Sequence, residues 1–435
     1  RPMEQTEKFL QNKFANKPEV VAANIRVMHA GYNFAETIEA LPSSYTVLSA
    51  NLGKGTYRNV MGNQAIAWGF LAAAERASKE LFLGSYPITP ASDILHELAK
   101  HKNLGVKTFQ AEDEIAAICS AIGASFTGSL AITTTSGPGL ALKGEGLGLA
   151  IMTELPLVVV DVQRGGPSTG LPTKTEQSDL MQALYGRNGE SPAVVLASST
   201  PGNCFDWAYM ASKITLEHNT PVILLSDGYL ANGAEPWKIK STKDMPEIHP
   251  NLANEGEEYQ PYARNEKTLA RKLALPGTKG LEHRLGGLEK EDITGNVSYD
   301  ADNHEKMVGI RSEKIKRIAN LIPQQEVFGK KEGELLVVGW GGTYGSLYST
   351  VDSLLNKGES IALSQFNHIN PLPKNTEEIF SKYKKIVVCE LNSGQFANYL
   401  KINFQGTIFN QYNKIQGFPF TTSELESHFK TLLTK

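Results

Sequence analysis

Cysteine is scarce in this chain: Cys119, Cys204 and Cys389 are the three in 435 residues, far apart and each in an apolar helix-like or strand-like context. That spacing argues against a disulfide framework or an iron–sulfur cluster held within the chain, and fits a reducing cytoplasm. No window offers about 18 uninterrupted apolar residues, so no membrane span is expected. A basic leader followed by an apolar core is also missing; the chain opens on Arg1-Pro2 and reads as a fragment whose upstream part is absent. Neither sign of charge dominates, with 43 Lys and Arg against 46 Asp and Glu. A pI near 6.4 argues against a nucleic-acid surface, which needs a clustered positive field. Internal repeats and low-complexity tracts are absent. His96, His101, His283 and His304 lack metal-ligand spacing and read as surface or structural residues, so no metal ligand is assigned.

What the chain does have is alternation. Its length suits two or three domains. Residues 1–58 read as the tail of a preceding domain and a linker, a helical pattern (VVAANIRVMHAGYNFAETIEAL) followed by the Gly-rich exit NLGKGTYRN. From 59 to 240 helices such as AIAWGFLAAAERA and SDILHELAKH alternate with continuously apolar strands: ELFLGS, LAITTT, LPLVVVDV, PAVVLASS and TPVILLSD. The pattern predicts an α/β fold with a mostly parallel, doubly wound sheet covered on both faces. Residues 241–325 are charged and rich in Gly, Pro and Asn, an excursion and crossover ending in the helix HEKMVGIRSEKIKRIANLI. A second α/β pattern fills 326–435, with ELLVVGWGG, SIALSQF and KKIVVCELN as strands.

Four segments carry candidate chemistry. QRGGPSTGLPTKTEQSDL (Gln163 to Leu180) leaves the apolar strand LPLVVVDV with one fixed cation, Arg164, and the hydroxyls of Ser168, Thr169 and Thr173 among Gly and Pro. Flexible backbone, a cation and hydroxyls at a strand end suit an anion-binding loop. Thr173 with Glu176 also fits a helix capping box. SYPITPAS places Thr89 between Pro87 and Pro90, either as a ligand contact at a strand's carboxyl end or as a plain strand-to-helix connection. AEDEIAAI puts Glu112, Asp113 and Glu114 at a helix start, where the dipole favours each acid by about 0.3–1 kcal/mol. The slim face of Ala116, Ala117, Ala121, Gly123 and Ala124 lets ligand or backbone approach, and a carboxylate beside it is suited to proton chemistry. TTTSGPGLALKGEG lacks the ending of a phosphate loop and is read as a tight turn for close helix–sheet packing, with Lys143 in the helix. GWGGTYG imitates a dinucleotide turn, but no acid ends the next strand, which argues against nicotinamide.

YPITPAS, QAEDEIAAI, TTTSGPGLALKGEGLGLA and VQRGGPSTGLPTKTEQSDL stand in the order and spacing of a known family. From Gly62 onward the chain resembles the alpha subunits of 2-oxoacid:ferredoxin oxidoreductases, most of all the 2-oxoglutarate (KorA-like) branch. Residues before Gly62 resemble the end of the gamma-type domain fused upstream in some members. The resemblance implies a thiamine-enzyme pyrimidine-type domain plus a transketolase C-terminal-like α/β domain. It implies oxidative decarboxylation of 2-oxoglutarate with coenzyme A to succinyl-CoA, CO2 and reduced ferredoxin, or the same reaction on pyruvate or another 2-oxoacid. By the same resemblance Glu114 hydrogen-bonds the aminopyrimidine of thiamine diphosphate, with Pro87 and Ile88 beside it. Arg164 holds the substrate carboxylate and Thr89 touches substrate, with Thr173, Ser168 and Thr169 as further substrate hydroxyls. Thiamine diphosphate is shared with a beta subunit that carries Mg2+ and the iron–sulfur cluster. In this chain LSDGYLANG (Leu225 to Gly233) only superficially imitates the diphosphate motif. The expected assembly is a cytoplasmic (alpha-beta)2 heterotetramer, inactive without its beta subunit. A non-catalytic scaffold paralogue is the alternative of another class, and such a scaffold would need none of Glu114, Arg164 and Thr89.

Overall fold

A computed structural model describes residues 3–39, 43 and 49–434, and the chain divides into two units, Arg1–Gly55 and Thr56–Lys435. In the first unit the helices Glu4–Lys13 and Pro18–Thr37 are joined by His29 Nε2 and Glu7 Oε1, 2.6 Å apart. Pro18 stands in the first turn, where its missing N–H leaves no bond unmade.

The described strands of the second unit are β1 (Tyr57–Met61), β2 (Leu81–Ser85), β3 (Lys107–Gln110), β4 (Leu130–Thr135), β5 (Leu157–Gln163), β6 (Val194–Ala197) and β7 (Pro221–Asp227). They continue with β8 (Ala234–Lys238), β9 (Phe328–Gly329), β10 (Gly333–Trp340), β11 (Ile361–Phe366), β12 (His368–Asn370), β13 (Tyr383–Glu390) and β14 (Phe409–Asn413). A seven-stranded sheet runs β12-β6-β7-β5-β4-β2-β3 and a five-stranded sheet β14-β13-β10-β11-β9. Within the larger sheet every pairing is parallel except β12 on β6. Tyr57–Met61, read from the sequence as the end of a linker, is a strand paired antiparallel with Ala234–Lys238.

Burial explains the apolar runs: every residue of β4, β5, β6 and β7 is buried, as expected where helices cover both faces. Because strand side chains alternate, Val158, Val160 and Val162 join the core under the helices Gly62–Arg76, Ser92–Leu98 and Cys204–His218. Leu157 and Val159 join the opposite core, which continues into Leu336, Val338, Phe366 and Val388 of the smaller sheet. The helices Gly62–Arg76 and Cys204–His218 approach closely at Gly69, where an added Cβ would lie 2.4 Å from the Phe205 carbonyl oxygen. From β2 the chain passes to β3 at one edge and returns to β4 on the other side. The crevice at the carboxyl ends of β2 and β4 is therefore a topological switch point, the usual ligand position in such sheets.

The excursion follows the surface with isolated bridges in place of strands until Asp300 caps the helix Ala301–Arg317 by accepting from Asn303 N at 2.8 Å. A buried ion cluster pins it. Arg264 donates to both oxygens of Glu154, Lys314 Nζ reaches Glu154 Oε2 at 2.6 Å and the Asn219 carbonyl at 2.8 Å, and Arg271 Nη2 reaches the Thr153 carbonyl at 2.7 Å. Burial pushes the Glu154 carboxyl up, but Lys314 and Arg264 outweigh it and hold it far below the usual carboxylate range.

Glu154→Gln leaves Lys314 buried without an anion and Arg264 with only Asp292, 3.9 Å away, and removing one partner of such a set costs about 3–5 kcal/mol. A lowered denaturation midpoint is the expected result, and an unchanged one would show the cluster to be dispensable. Since the Glu154 value is depressed in the fold, its contribution is complete above the ordinary carboxylate range and disappears as pH falls through the depressed value. The gap between wild type and Glu154→Gln should therefore narrow in acid.

Candidate functional site

Hydroxyl groups line the switch-point crevice. Ser85 Oγ and Thr134 Oγ1 are 2.6 Å apart, and Tyr86 OH and Thr135 Oγ1 are 2.9 Å apart, so neighbouring β2 and β4 are stitched at their carboxyl ends by buried polar pairs. Burial pushes the Tyr86 phenol far above its usual range, and the Glu114 carboxylate within hydrogen-bonding reach adds to that.

Glu114 is the first residue of the helix Glu114–Phe126. Asp113 is its N-cap, accepting from Ala116 N at 2.8 Å, and Glu112 precedes it. Of the three acids expected in the first turn, Glu114 alone lies inside the helix, half-buried. Its carbonyl oxygen accepts from Lys143 Nζ at 2.8 Å. Lys143 stands between the helices Gly137–Leu142 and Gly144–Met152, fully buried and 5.1 Å from the Tyr86 ring centroid. Burial pulls its ammonium down to about 8, with Glu114 and Asp113 opposing. The glycines of this turn serve close packing, as its sequence suggests. A Cβ on Gly139 would lie 2.1 Å from Thr135 Oγ1, 2.2 Å from Tyr86 OH and 2.9 Å from Glu114 Cγ.

Arg164 follows β5, is 7% exposed, and donates from Nη1 to the Thr89 carbonyl at 2.6 Å. The Thr89 segment is itself fastened: Ile88 N donates to Ser92 Oγ at 2.9 Å, Ser92 N to the Ile88 carbonyl at 3.0 Å, and Asn63 Nδ2 to the Pro90 carbonyl at 2.7 Å. Ile88 packs on Tyr86, Ala111 and Ala117, with Ala116 beside them, while Pro87 and Thr89 are exposed. Glu114 and Arg164 both act on the Tyr86 hydroxyl, so the fold gathers Glu114, Arg164 and the Pro87–Ile88–Thr89 turn around one tyrosine. Ser168, Thr169 and Thr173 stand instead on the exposed part of a loop closed by Leu171 N on the Gly165 carbonyl at 2.8 Å and Gly165 N on the Lys174 carbonyl at 3.1 Å. The next helix, Leu180–Tyr185, begins too late for Thr173 and Glu176 to form its capping box.

The far end of that loop is clamped by Gln177. Its Nε2 donates to the Trp340 carbonyl at 2.7 Å, its Oε1 accepts from Leu391 N at 2.9 Å, its N donates to the Leu391 carbonyl at 3.0 Å, and its own carbonyl accepts from Asn392 Nδ2 at 2.8 Å. Asp227 does similar work: Oδ1 accepts from Thr175 Oγ1, Tyr229 N and Leu230 N, and Oδ2 from Gly342 N at 3.1 Å. The acid of LSDGYLANG thus holds protein donors on both oxygens. Sequence reading missed Tyr86, Lys143 and Gln177; a lone lysine inside a glycine-rich apolar segment was the available signal for Lys143. Among the described residues no group of three or more His, Cys, Asp or Glu could hold a metal ion, and no helix is long and apolar enough to cross a membrane.

The profile of the family described as pyruvate flavodoxin/ferredoxin oxidoreductase, thiamine diphosphate-binding, matches residues 73–302. The chain is 49% identical over 434 residues to the 2-oxoglutarate oxidoreductase subunit KorA of Mycobacterium tuberculosis, covering 100% of this chain and 66% of that protein's length. It resembles the solved 2-oxoglutarate:ferredoxin oxidoreductase of Magnetococcus marinus, a structure with 2-oxoglutarate, coenzyme A and succinyl-CoA bound. The TM-score there is 0.88 at 32% identity over 98% of this chain and 74% of that one. A split-gene transketolase, at TM-score 0.51 and 11% identity over 86% of this chain and 98% of that one, shares the fold.

Gln177→Leu keeps the volume but strands the Leu391 amide and takes one of two donors from the Trp340 carbonyl, which keeps Thr343 Oγ1 at 2.7 Å. A buried group left without its partner costs roughly 1–3 kcal/mol. The thermal midpoint should fall accordingly; an unmoved midpoint would mean the clamp contributes nothing.

Proposed function

Because the chain belongs to the 2-oxoacid:ferredoxin oxidoreductase family, as a relative of its KorA subunits, we propose that it is the alpha subunit of a thiamine-diphosphate-dependent 2-oxoglutarate:ferredoxin oxidoreductase. The overall reaction converts 2-oxoglutarate and coenzyme A to succinyl-CoA and CO2, and the two electrons released reduce two one-electron ferredoxins. A beta subunit supplies the magnesium–diphosphate site and the iron–sulfur cluster, in a cytoplasmic (alpha-beta)2 assembly. Residues 59–240 serve as the pyrimidine-type domain, 241–325 as the crossover and 326–435 as the transketolase C-terminal-like domain, with 1–58 ending an upstream gamma-type domain.

The observation that carries this reading is the convergence of Glu114, Thr89 and Arg164 around Tyr86. The residues fit an aminopyrimidine: one half-buried carboxylate stands beside an apolar lining of Tyr86, Ile88, Ala111, Ala116 and Ala117, against a glycine turn with no room for a methyl. Thiamine diphosphate supplies, when bound, the carbon nucleophile and electron sink that decarboxylation needs. Glu114 would hold a proton against the pyrimidine ring nitrogen, with its helix start fixed by Lys143 and Asp113. Pro87 and Ile88 would flank the ring. Arg164 would take the oxoacid carboxylate through its planar fork, with Thr89, Thr173, Ser168 and Thr169 as hydroxyl contacts.

With the reconstituted alpha–beta enzyme, Glu114→Gln should slow turnover by orders of magnitude at an unchanged melting temperature. Near-normal turnover would remove Glu114 from the chemistry. Arg164→Lys, a point charge in place of a fork, should raise the KM for 2-oxoglutarate about tenfold or more, the scale of one hydrogen bond to a charged group. An unaltered KM would take Arg164 out of the substrate site. A panel of 2-oxoglutarate, pyruvate and branched oxoacids ranks the substrates.

A further inference from the structure

Beneath Arg164 lie two acids that the reading above does not use. Asp161, in β5, is fully buried, and neither carboxyl oxygen meets a hydrogen-bond donor. By strand alternation it points away from the face of Val158, Val160 and Val162. Asp179, 7% exposed, precedes the helix Leu180–Tyr185 without capping it through its side chain. Its Oδ2 also lacks a donor, and Oδ1 has Ser178 Oγ at 3.3 Å. The same Ser178 hydroxyl donates to the Arg164 carbonyl at 2.8 Å, while Asp179 N donates to Gln163 Oε1 at 3.2 Å. Asp161 lies beside Thr135 in the sheet and Asp179 against Gly137, two residues farther along the chain, so the two carboxyls act on each other and the Arg164 charge acts on both. Two neighbouring buried carboxylates with three of their four oxygens lacking a donor are not stable when both are charged. A proton between them supplies the missing donor.

We propose that Asp161 and Asp179 share one proton and act as the positioning pair for Arg164, Asp161 carrying the proton and Asp179 the negative charge. This rests on Arg164 holding the oxoacid carboxylate. The charged groups facing the pair are Arg164 and, more weakly, Glu176; the turn at Gly137 presents backbone alone, 2.4 Å from Asp179 Oδ1 to where its Cβ would be. Burial first, then Asp179, pushes Asp161 well above the ordinary carboxylate range, and burial pushes Asp179 up to about 6. With one proton the pair and the guanidinium sum to zero charge, and Arg164, whose buried Nε has no partner, keeps a fixed counter-charge behind it. Loss of that proton in alkali places a second negative charge next to the substrate's own, so the KM for the oxoacid rises.

The test uses the reconstituted alpha–beta enzyme. Asp161→Ala should raise the KM for 2-oxoglutarate roughly tenfold, the scale of one charged hydrogen bond, with kcat within about twofold. Asp161→Asn keeps a donor toward Asp179 but cannot titrate; it should recover most of that loss and flatten the alkaline rise in KM. The infrared spectrum of the wild type at neutral pH should show a neutral carboxylic-acid carbonyl band that Asp161→Asn removes. A missing band, or an Asp161→Asn variant as impaired as Asp161→Ala, overturns the shared proton. An intact band together with an unaltered KM in Arg164→Lys overturns instead the reading of Arg164 on which it rests.

Discussion

The loop that follows Arg164 is held in place at one point above all, the amide of Gln177. The side chain and main chain of that residue bridge the large sheet's site loop to the ends of β10 and β13. Asp227 ties Thr175 of the same loop to Gly342. The hydrophobic core crosses at the same place, since Leu157 and Val159 share one cluster with Val338 and Val388. Polar joint and apolar core agree in direction: the smaller α/β layer is the wall against which the site loop is set, and Arg164 keeps its place because Thr175 to Ser178 cannot move independently of it.

Legibility in the sequence followed physical locality. The parallel strands could be read because burial on both faces demands unbroken apolar runs, as LPLVVVDV and PVILLSD show. Glu114, Thr89 and Arg164 stand out because each lies in a long ordered motif, and the fold brings all three near Tyr86. Features made by distant pairing were hidden. Tyr57–Met61 is a strand owing to a partner some 180 residues later, and β12 is three residues long and lies in the other part of the chain. Lys143 reads from the sequence as a helix residue; the fold sets it instead between two helices, buried, with its ammonium on the Glu114 carbonyl. Asp161 was visible as an acid in an otherwise apolar strand, but nothing local said that Asp179 would face it. Thr173 and Glu176 matched a capping box by spacing alone, and the helix begins farther on.

The excursion shows how a segment without regular structure stays ordered. Its backbone pairs through scattered bridges, Ile248, Ile315 and Ile318 join the core of the large sheet, and Glu154 with Arg264 and Lys314 adds an electrostatic attachment. A further pair, Arg311 on Glu289 at 3.1 and 3.0 Å, fixes the helix Ala301–Arg317 to the same stretch. Buried ion pairs contribute little net stability compared with apolar packing, but they are directional, and direction is what a long crossover needs.

The antiparallel strand His368–Asn370 on β6 has one more implication. The outer edge of the seven-stranded sheet is supplied by chain made some 170 residues after β6 itself, so during synthesis Val194–Ala197 waits with its peptide groups bare on one side. Apolar edges of that kind recruit stray strands from other molecules. A shortened gene product ending before residue 368 would keep Glu114, Thr89 and Arg164 yet carry an adhesive seam, and its fate would be decided by precipitation in place of catalysis.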